Sequence, residues 1–369
     1  MEDTILTELC NTINQLGGVA PAIPSPELYE VLTLLFTEEE AVIAAKMSPG
    51  AAPARALAEK LSRAEEEIVP LLESMADKGI VLTRKKDGVV LYRLMPLMPG
   101  IFEFQFMRGS DTERDRRLAR LFKKYFDMAL PMVQTHLSTV KDVASFSRVI
   151  PVEKTIQAGQ NVYTFDQLSQ YIDSADAIAV GHCYCRQYAH LLGEESCEAP
   201  KETCMNFGPG AAYTSQRGIT RMISKEEAYE ILKACEESGL VHLSSNTSEY
   251  LEYLCNCCGC HCGSLKLIKE TGAPIWAATS GYIARIDAAL CEGCGTCMEN
   301  CQLEAITLGN EETAVIEDGR CVGCGVCAGL CPVEAIAMVS LEDFPTPPGT
   351  ARDLRSSIFN SLMGKRADK

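Results

Sequence analysis

The sequence predicts an α+β protein of several domains, and three observations support this prediction. The first hundred residues alternate amphipathic helical stretches with one short hairpin. Residues 151–280 mix predicted strands with helices and are rich in cysteine. Residues 281–340 repeat one cysteine pattern twice. A chain of 369 residues has room for two or three domains of ~100–200 residues each.

A series of helices is predicted for residues 1–78. A first short helix precedes a connector rich in glycine and proline, and three further helices are expected to begin at Pro26, Glu38 and Ala54. One more helix is expected after these, running to about residue 78. A capping box formed by Ser62 and Glu65 is expected to start it, and Pro70 would introduce a kink.

Two strands are expected after the helices, at residues 80–83 and 89–94, with a Lys-Asp-Gly turn between them. Helices followed by such a hairpin, over about residues 26–95, resemble a winged helix-turn-helix. That family places a basic recognition helix in the major groove of DNA, whereas the corresponding helix here is acidic. A winged-helix-like domain over residues 1–98 that docks protein or forms a homodimer is therefore favoured over one that binds nucleic acid.

Residues 99–150 are predicted to form a helical connector. Its dense apolar group, residues 101–107, is expected to lie in a core or at an interdomain contact. A long helix is expected from residue 111 to about residue 136, and its basic side chains are expected to face solvent.

Residues 151–280 are predicted to form a cysteine-rich α/β domain. A helix is expected at 165–172 and a buried strand at 177–180. A helix capped by Ser224 and a strand at 240–243 are expected further on. Two groups of cysteines are expected to converge from separate strand ends: Cys183, Cys185, Cys197 and Cys204 in the first, with the last two in a loop, and Cys255, Cys257, Cys258, Cys260 and Cys262 in the second.

These nine cysteines are predicted to bind metal, because near-adjacent thiols are poorly placed to form disulfides with each other. Four of them could hold a further 4Fe-4S cluster, and two sets of four could hold two. A non-cubane or mixed-metal site that carries out chemistry is a third arrangement. A zinc site of four cysteines, or of three cysteines and a histidine, is a fourth.

The same segment resembles a middle domain found fused to two-cluster ferredoxins in anaerobes, through its HCYCR and CNCCGCHC runs. The resemblance implies cluster binding and no specific reaction. Three neighbouring side chains are expected to assist the cysteines. His182 and His261 could ligate a metal, donate a hydrogen bond to sulfur or pack, and Arg186 is expected to offset the negative charge of the thiolates.

Residues 281–340 contain two runs of the form C-x2-C-x2-C-x3-C, offset by thirty residues. Cys291 maps onto Cys321, and Glu304 maps onto Glu334. Thiolates are the ligands that cluster iron prefers, and the glycines between them permit tight turns. Zinc ribbons instead use pairs of cysteines with longer spacers, so the pattern favours iron–sulfur clusters over zinc.

The two runs resemble the bacterial ferredoxin domain with two 4Fe-4S clusters. In that family the fourth cysteine of each run ligates the other cluster. The resemblance implies one cluster on Cys291, Cys294, Cys297 and Cys331, and a second cluster on Cys321, Cys324, Cys327 and Cys301. Gln302 departs from the family, which often has proline after the fourth cysteine. Residues 341–369 are predicted to be a Pro-rich linker and a tail with a short amphipathic helix.

Composition limits the function further. The net charge of −16 argues against binding to nucleic acid, and it suits either solubility or attraction to a basic redox partner. The acidic N-terminus does not have the form of a signal peptide, and no apolar run approaches the ~18 residues of a membrane span. A cytoplasmic protein without a membrane span is therefore expected.

The chain contains no readable dinucleotide loop, P-loop or HExxH sequence. The expected function is electron transfer in anaerobic metabolism, by an iron–sulfur protein or subunit of an oxidoreductase complex. Single electrons would pass through two ferredoxin clusters and a further middle-domain cluster, to or from a larger redox enzyme. The alternatives are an Fe–S oxidoreductase with a catalytic middle-domain metal, and an Fe–S-sensing winged-helix regulator of transcription.

Overall fold

A computed structural model of the chain describes residues 1–137, 145–156, 166–194, 197–271, 277–309, 312–342 and 344–362. Helical residues make up 46% of the structure and strand residues 18%, and this mixture fits the predicted α+β class. The chain divides into two compact units. The first unit comprises Met1–Thr139, Gln187–Ser196 and Ala211–Arg221, and the second comprises Val140–Arg186, Cys197–Gly210 and Met222–Lys369.

The first unit consists mainly of helices and one small sheet. Its helices are α1 Asp3–Gln15, α2 Pro26–Leu35, α3 Glu38–Ala45, α4 Ala54–Leu61, α5 Glu65–Asp77, α6 Phe102–Phe106 and α7 Glu113–Leu137. Its strands are β1 Ala52–Pro53, β2 Val81–Lys86 and β3 Val89–Leu94. The three helix starts predicted from Pro26, Glu38 and Ala54 are confirmed.

Helices α2 and α3 begin at polar caps, whereas α5 does not. Ser25 accepts a hydrogen bond from the backbone of Leu28, and Thr37 forms a full capping box with Glu40. The capping box predicted at Ser62 is wrong. Ser62 adopts a left-handed conformation that closes α4, so the residue before α5 is Ala64, which offers no side-chain cap. Helix α5 continues through Pro70.

The predicted hairpin is confirmed and is slightly longer than expected. Asp87 and Gly88 both have positive φ and form the turn, which suits the right-handed twist of the paired strands. Strand β1, which the sequence did not reveal, pairs with β3 and gives the sheet order β1-β3-β2. The order of helices and hairpin matches the predicted pattern, and the winged-helix identity stays a prediction.

The apolar group at residues 101–107 lies in the core of the first unit. Phe102 is buried, and its ring meets those of Phe106 and Phe122 edge to face, with centroids 5.3 and 5.0 Å apart. The long helix predicted after residue 111 is confirmed as α7. Its basic residues are mostly exposed and pair with acidic neighbours, as Arg120 does with Glu113.

The second unit is built on a seven-stranded sheet of order β10-β4-β8-β9-β6-β5-β7. Its strands are β4 Ser147–Ile150, β5 Ile178–His182, β6 Glu202–Phe207, β7 Arg221–Ile223, β8 Val241–Ser245, β9 Tyr253–Cys257 and β10 Ala277–Ala278. The associated helices of this unit are α8 Leu168–Ser174, α11 Lys225–Glu237 and α12 Gly263–Thr271, whereas α9 Tyr184–Leu191 and α10 Gly208–Gln216 each have only their first three residues in it. Of the helix predicted at 165–172, residue 165 lies outside the described residues.

The strands of this sheet explain how distant cysteines meet. β8 pairs antiparallel with β9, β9 with β6, and β6 with β5. Cys204 faces Gly181 across the last of these pairs, so it lies in strand β6 and not in the predicted loop. Apolar residues alternate towards the end of the segment 202–207 and pack in a core that neighbouring strands share. This packing stabilises the segment as a strand.

The repeated cysteine segment folds as two related halves. β11 Tyr282–Ile286 pairs with β14 Ile336–Ser340, and β12 Ile306–Leu308 pairs with β13 Ala314–Ile316. Each half carries one short helix, α13 Thr296–Glu299 or α14 Val326–Leu330. The equivalent residues Glu304 and Glu334 both have positive φ, of 53° and 52°. The thirty-residue repeat in the sequence is thus a repeat in backbone conformation.

A buried ion pair supports the junction between the sheet and the repeated segment. Arg148 in β4 pairs with Asp166, whose other carboxylate oxygen accepts a hydrogen bond from the Gly281 backbone at 3.1 Å. Burial raises the pKa of Asp166. After the repeat, the predicted C-terminal helix is present as α15 Ala351–Leu362, and the predicted tail beyond it lies outside the described residues.

Within the described ranges, no helix combines the length and the apolar character that crossing a bilayer requires.

Candidate metal centres

The first predicted ferredoxin ligand set is brought together by α13 and the two ends of the repeat. The thiol of Cys297, buried at the start of α13, interacts electrostatically with Cys291, Cys294 and Cys331. These are the four cysteines that the ferredoxin resemblance assigns to one cluster. Cys331 comes from the second run, so the crossing-over of the fourth cysteine is present in the folded chain.

The second set lines a cavity. Cys301, Cys321, Cys324 and Cys327 line this cavity together with apolar side chains. Burial raises the pKa of Cys324 to about 12, so this thiol stays protonated unless a cation is bound beside it. Four thiols around one apolar cavity fit an iron–sulfur cluster, which takes one thiolate at each iron.

Backbone amides point at several of these sulfurs. The amide of Ala305 donates to Cys301 Sγ and that of Ala335 donates to Cys331 Sγ, each at 3.3 Å. The two bonds are equivalent under the thirty-residue repeat. Hydrogen bonds to the sulfurs are one of the determinants of cluster potential, so this backbone tunes both halves in the same way.

Two positions must be glycine because the backbone of another segment lies too close to them for a Cβ atom. A Cβ on Gly293 would lie 2.2 Å from the carbonyl oxygen of Glu312, and a Cβ on Gly323 would lie 2.0 Å from that of Tyr282. Both glycines also have positive φ. The loops that carry the cysteines therefore pack against the small sheets at a distance that only glycine allows.

Gln302 has a role that the sequence did not indicate. Its side-chain oxygen accepts a hydrogen bond from the Gly259 amide at 2.6 Å, and its side-chain nitrogen donates to the Gly239 carbonyl at 3.0 Å. The residue that departs from the ferredoxin pattern thus joins the repeated segment to the cysteine-rich turn that follows β9. The signal in the sequence was only the missing proline.

Six of the nine middle-domain cysteines form a closed ring in which each thiol interacts with two others. In order around the ring they are Cys183, Cys185, Cys262, Cys257, Cys255 and Cys204. We call this group the six-thiol ring. It draws three members from each predicted sequence group, so the two groups do converge, but neither joins the ring as a whole.

Five elements position the six-thiol ring. Cys255 and Cys257 alternate with Asn256 along β9 and therefore point to one side of the strand. Cys204 comes from the neighbouring strand β6, and Cys183 follows the end of β5. Cys185 lies in the first turn of α9, and Cys262 directly precedes α12.

The pKa values alternate around the six-thiol ring. Hydrogen bonds from Cys204 and Cys257 lower the pKa of Cys255 to about 6. The pKa is also lowered at Cys183 and Cys262, and it is raised at the three thiols between them, which interact with these thiolates. Six thiolates cannot coexist here without a cation, because burial and mutual repulsion favour protonation of every second sulfur. A ring of this kind is suited to bind positively charged iron.

Arg186 adjoins the ring from α9, as expected from its position after Cys185. Its guanidinium donates to Thr203 Oγ1 at 2.6 Å, to the Pro200 carbonyl at 2.7 Å and to the Asn256 carbonyl at 3.1 Å. The negative charge of neighbouring cysteines raises its pKa against the opposing effect of burial. Its Nε is buried and finds no acceptor among the described residues, which leaves one donor for a cluster sulfur.

The remaining three cysteines form a second, smaller group with a histidine. Ligand atoms of Cys197, Cys258, Cys260 and His261 all lie within 4.8 Å of one another. The Cys258 Sγ is 3.9 Å from the Cys197 Sγ and 3.9 Å from the His261 Nδ1. Among the described residues, no three thiols of the six-thiol ring meet that mutual spacing. His182, at the end of β5, belongs to neither group.

A buried polar bridge beneath the ring was also missed from the sequence. The Asn256 side-chain nitrogen donates to the Thr203 carbonyl at 2.7 Å, and its oxygen lies 2.7 Å from Nδ1 of the His242 imidazole. These bonds fasten β9 to β6 and β8, on the side of the strand opposite the thiols. An asparagine between two cysteines was the only trace of this bridge in the sequence.

Comparison with known proteins agrees with the C-terminal geometry. The family described as the 4Fe-4S dicluster domain matches residues 284–338. No curated protein and no solved structure matches the chain. The C-terminal segment is therefore a ferredoxin-like iron–sulfur domain, and the chain is an iron–sulfur protein.

Proposed function

We propose that this protein transfers single electrons through two 4Fe-4S clusters in the ferredoxin-like domain and a further iron–sulfur cluster in the six-thiol ring. Cys291, Cys294, Cys297 and Cys331 would hold one ferredoxin cluster, and Cys301, Cys321, Cys324 and Cys327 the other. Iron–sulfur clusters supply reversible one-electron chemistry. This proposal requires no organic cofactor.

One observation carries the proposal: ligands of both regions pack into the same apolar core. Cys257 and Cys262 of the six-thiol ring are buried in a cluster of side chains that also includes Val322 and Val326 of the ferredoxin-like domain. Cys301 and Cys324 pack against that same cluster. An apolar core shared by two sets of candidate iron ligands favours exchange of electrons between them.

The chain's own residues would set the conditions at each site. Amides hold the sulfurs of Cys301 and Cys331 by hydrogen bonds, and Arg186 places a positive charge beside the six-thiol ring. Apolar side chains line most of the cavity that holds Cys301 and Cys324. Hydrogen bonds, charge and solvent access are the means by which proteins adjust cluster potentials.

The partner would be another redox protein or a larger oxidoreductase complex. The net charge of −16 gives the chain an acidic field that attracts basic docking surfaces and repels acidic ones. On this basis the rate of electron transfer to a basic partner should fall as salt is added.

A second candidate function rests on the number of thiols in the six-thiol ring. One cubane takes four cysteines, so a ring of six thiols has more ligands than one cubane needs and could instead hold a non-cubane or mixed-metal site with an iron open to a small molecule. The site would then be the catalytic centre of an Fe–S oxidoreductase. A change in the EPR spectrum of the ring cluster on addition of small oxidisable or reducible molecules would favour this function.

The test of the proposed function is a count of electrons. Protein purified without oxygen is reduced stepwise with dithionite, and the reduced protein is mixed with a one-electron acceptor. We expect about one electron per cluster, and therefore about three per chain, to be stored and returned. Protein that contains iron but stores no electrons, or does not return them, would refute electron transfer.

A further inference from the structure

We propose that Cys197, Cys258, Cys260 and His261 bind a single zinc ion, at a site separate from the six-thiol ring. This inference does not depend on the proposed electron transfer, since it concerns a different set of ligands. The nine cysteines of the middle domain are thereby divided into six for iron and sulfide and three for zinc.

The spacing of the ligand atoms fits one ion. A tetrahedral zinc site has Zn–S distances of about 2.3 Å, which places neighbouring sulfurs about 3.8 Å apart. The Cys197 and Cys258 sulfurs are 3.9 Å apart, and Cys258 Sγ is 3.9 Å from His261 Nδ1. All four ligand atoms lie within 4.8 Å of one another. Thiolates of a cubane each bind a different iron and so lie farther apart than this.

The chain separates the two sites within one short run. Cys257 ends β9 and belongs to the six-thiol ring, and Cys258, the first residue beyond that strand, belongs to the second group. Cys260 and His261 lie in the turn that follows, and Cys262 returns to the ring. The ring therefore takes the two ends of this run, and the proposed zinc site takes the middle.

The charge of the site is balanced by its surroundings. Three thiolates, a neutral imidazole and Zn²⁺ sum to a single negative charge, and binding the ion releases the three thiol protons. The guanidinium of Arg186 interacts with Cys258 as well as with Cys183 and Cys204 of the ring. One buried cation thus faces both sites.

A zinc ion here would have a structural role. Three ligands come from the turn between β9 and α12, and the fourth, Cys197, comes from the segment that leads to β6. Four protein ligands close the coordination shell, as in structural zinc sites. The ion would hold the turn in the shape that presents Cys257 and Cys262 to the ring.

The test is metal analysis and zinc X-ray absorption of the full chain, purified without oxygen and washed with a chelator. We expect about one zinc per chain, with three sulfurs and one nitrogen around it. Cys260→Ser, at an exposed ligand, should lower bound zinc at least about tenfold and leave the iron of the ferredoxin-like domain in place. His261→Cys should keep zinc and convert the shell to four sulfurs. Cys10→Ser, at a buried cysteine of the first unit, is the matched control.

Either of two results would overturn the zinc site. The first is wild-type protein with its iron in place and zinc below about one-tenth per chain. The second is a Cys260→Ser variant that loses iron instead of zinc, which would assign this group to a cluster. If Cys260→Ser does not fold, the zinc content and absorption spectrum of the wild-type protein still decide the question.

Discussion

Gln302 connects two parts of the second unit through one side-chain amide. It accepts from the Gly259 amide at 2.6 Å and donates to the Gly239 carbonyl at 3.0 Å. Gln302→Ala removes both bonds, and each contributes about 0.5–1.5 kcal/mol net. We therefore expect the free energy of unfolding to fall by about 1–3 kcal/mol, measured by urea unfolding of the holoprotein without oxygen.

The matched control for this change is Gln216→Ala, at an exposed glutamine of α10. It should leave the stability within about 0.5 kcal/mol of wild type. A Gln302→Ala protein as stable as the control would mean that the amide does not join the two segments.

Arg186 is a second single residue with a defined effect, which it exerts through its charge. Reduction adds an electron to a site that is already rich in thiolate, and the guanidinium offsets that charge. Arg186→Met should therefore lower the potential of the ring cluster by about 60 mV, which corresponds to a tenfold change in a one-electron equilibrium. An EPR-monitored redox titration measures the shift.

Two further variants separate charge from packing. Arg186→Lys keeps the positive charge but not the planar set of donors that reaches Thr203 and Pro200, so its shift should be smaller. Arg352→Met, at an exposed arginine of α15, should cause none. Equal potentials in wild type and Arg186→Met would exclude an electrostatic role for Arg186.

At the scale of elements, the loops around the ferredoxin cysteines depend on backbone contact. Gly323 has a φ of 69°, and a Cβ there would lie 2.0 Å from the Tyr282 carbonyl oxygen in β11. Gly323→Ala must push this loop away from the strand, and Cys321 and Cys324 move with it. We expect the iron content of the purified protein to fall by about four irons per chain, because one of the two ferredoxin ligand sets is distorted.

Gly319 provides the control, because it precedes the same loop and a Cβ there meets nothing within 4 Å. Gly319→Ala should retain full iron content and the wild-type absorbance. Full iron in the Gly323→Ala protein would show that close packing of the loop on β11 is unnecessary for cluster assembly.

At the scale of the whole molecule, the sequence was most informative where chemistry requires a fixed local spacing. The two four-cysteine runs predicted the repeat that β11 to β14 display, because one short loop must supply three ligands at set intervals. Helix starts at Pro26 and Glu38 were equally readable, since their caps are local.

The partition of the middle-domain cysteines could not be read from the sequence. Cys257 and Cys258 are adjacent in the chain but fall into different groups, because β9 ends at Cys257 and the chain turns after it. Cys204 joins Cys255 only through the pairing of β6 with β9, which is a long-range contact. The capping box predicted at Ser62 was wrong for a related reason, because the end of α4 determines the conformation of Ser62.

The central claim is that eight cysteines of residues 284–338 hold two iron–sulfur cubanes. The most direct measurement is iron content with low-temperature EPR, on wild-type protein, Cys294→Ser, Cys324→Ser and the control Cys10→Ser, all purified without oxygen. We predict at least about eight irons per chain in wild type and control, and a loss of about four irons in each of the other two. A colourless wild-type protein, or iron content and absorbance that neither Cys294→Ser nor Cys324→Ser changes, would contradict the account.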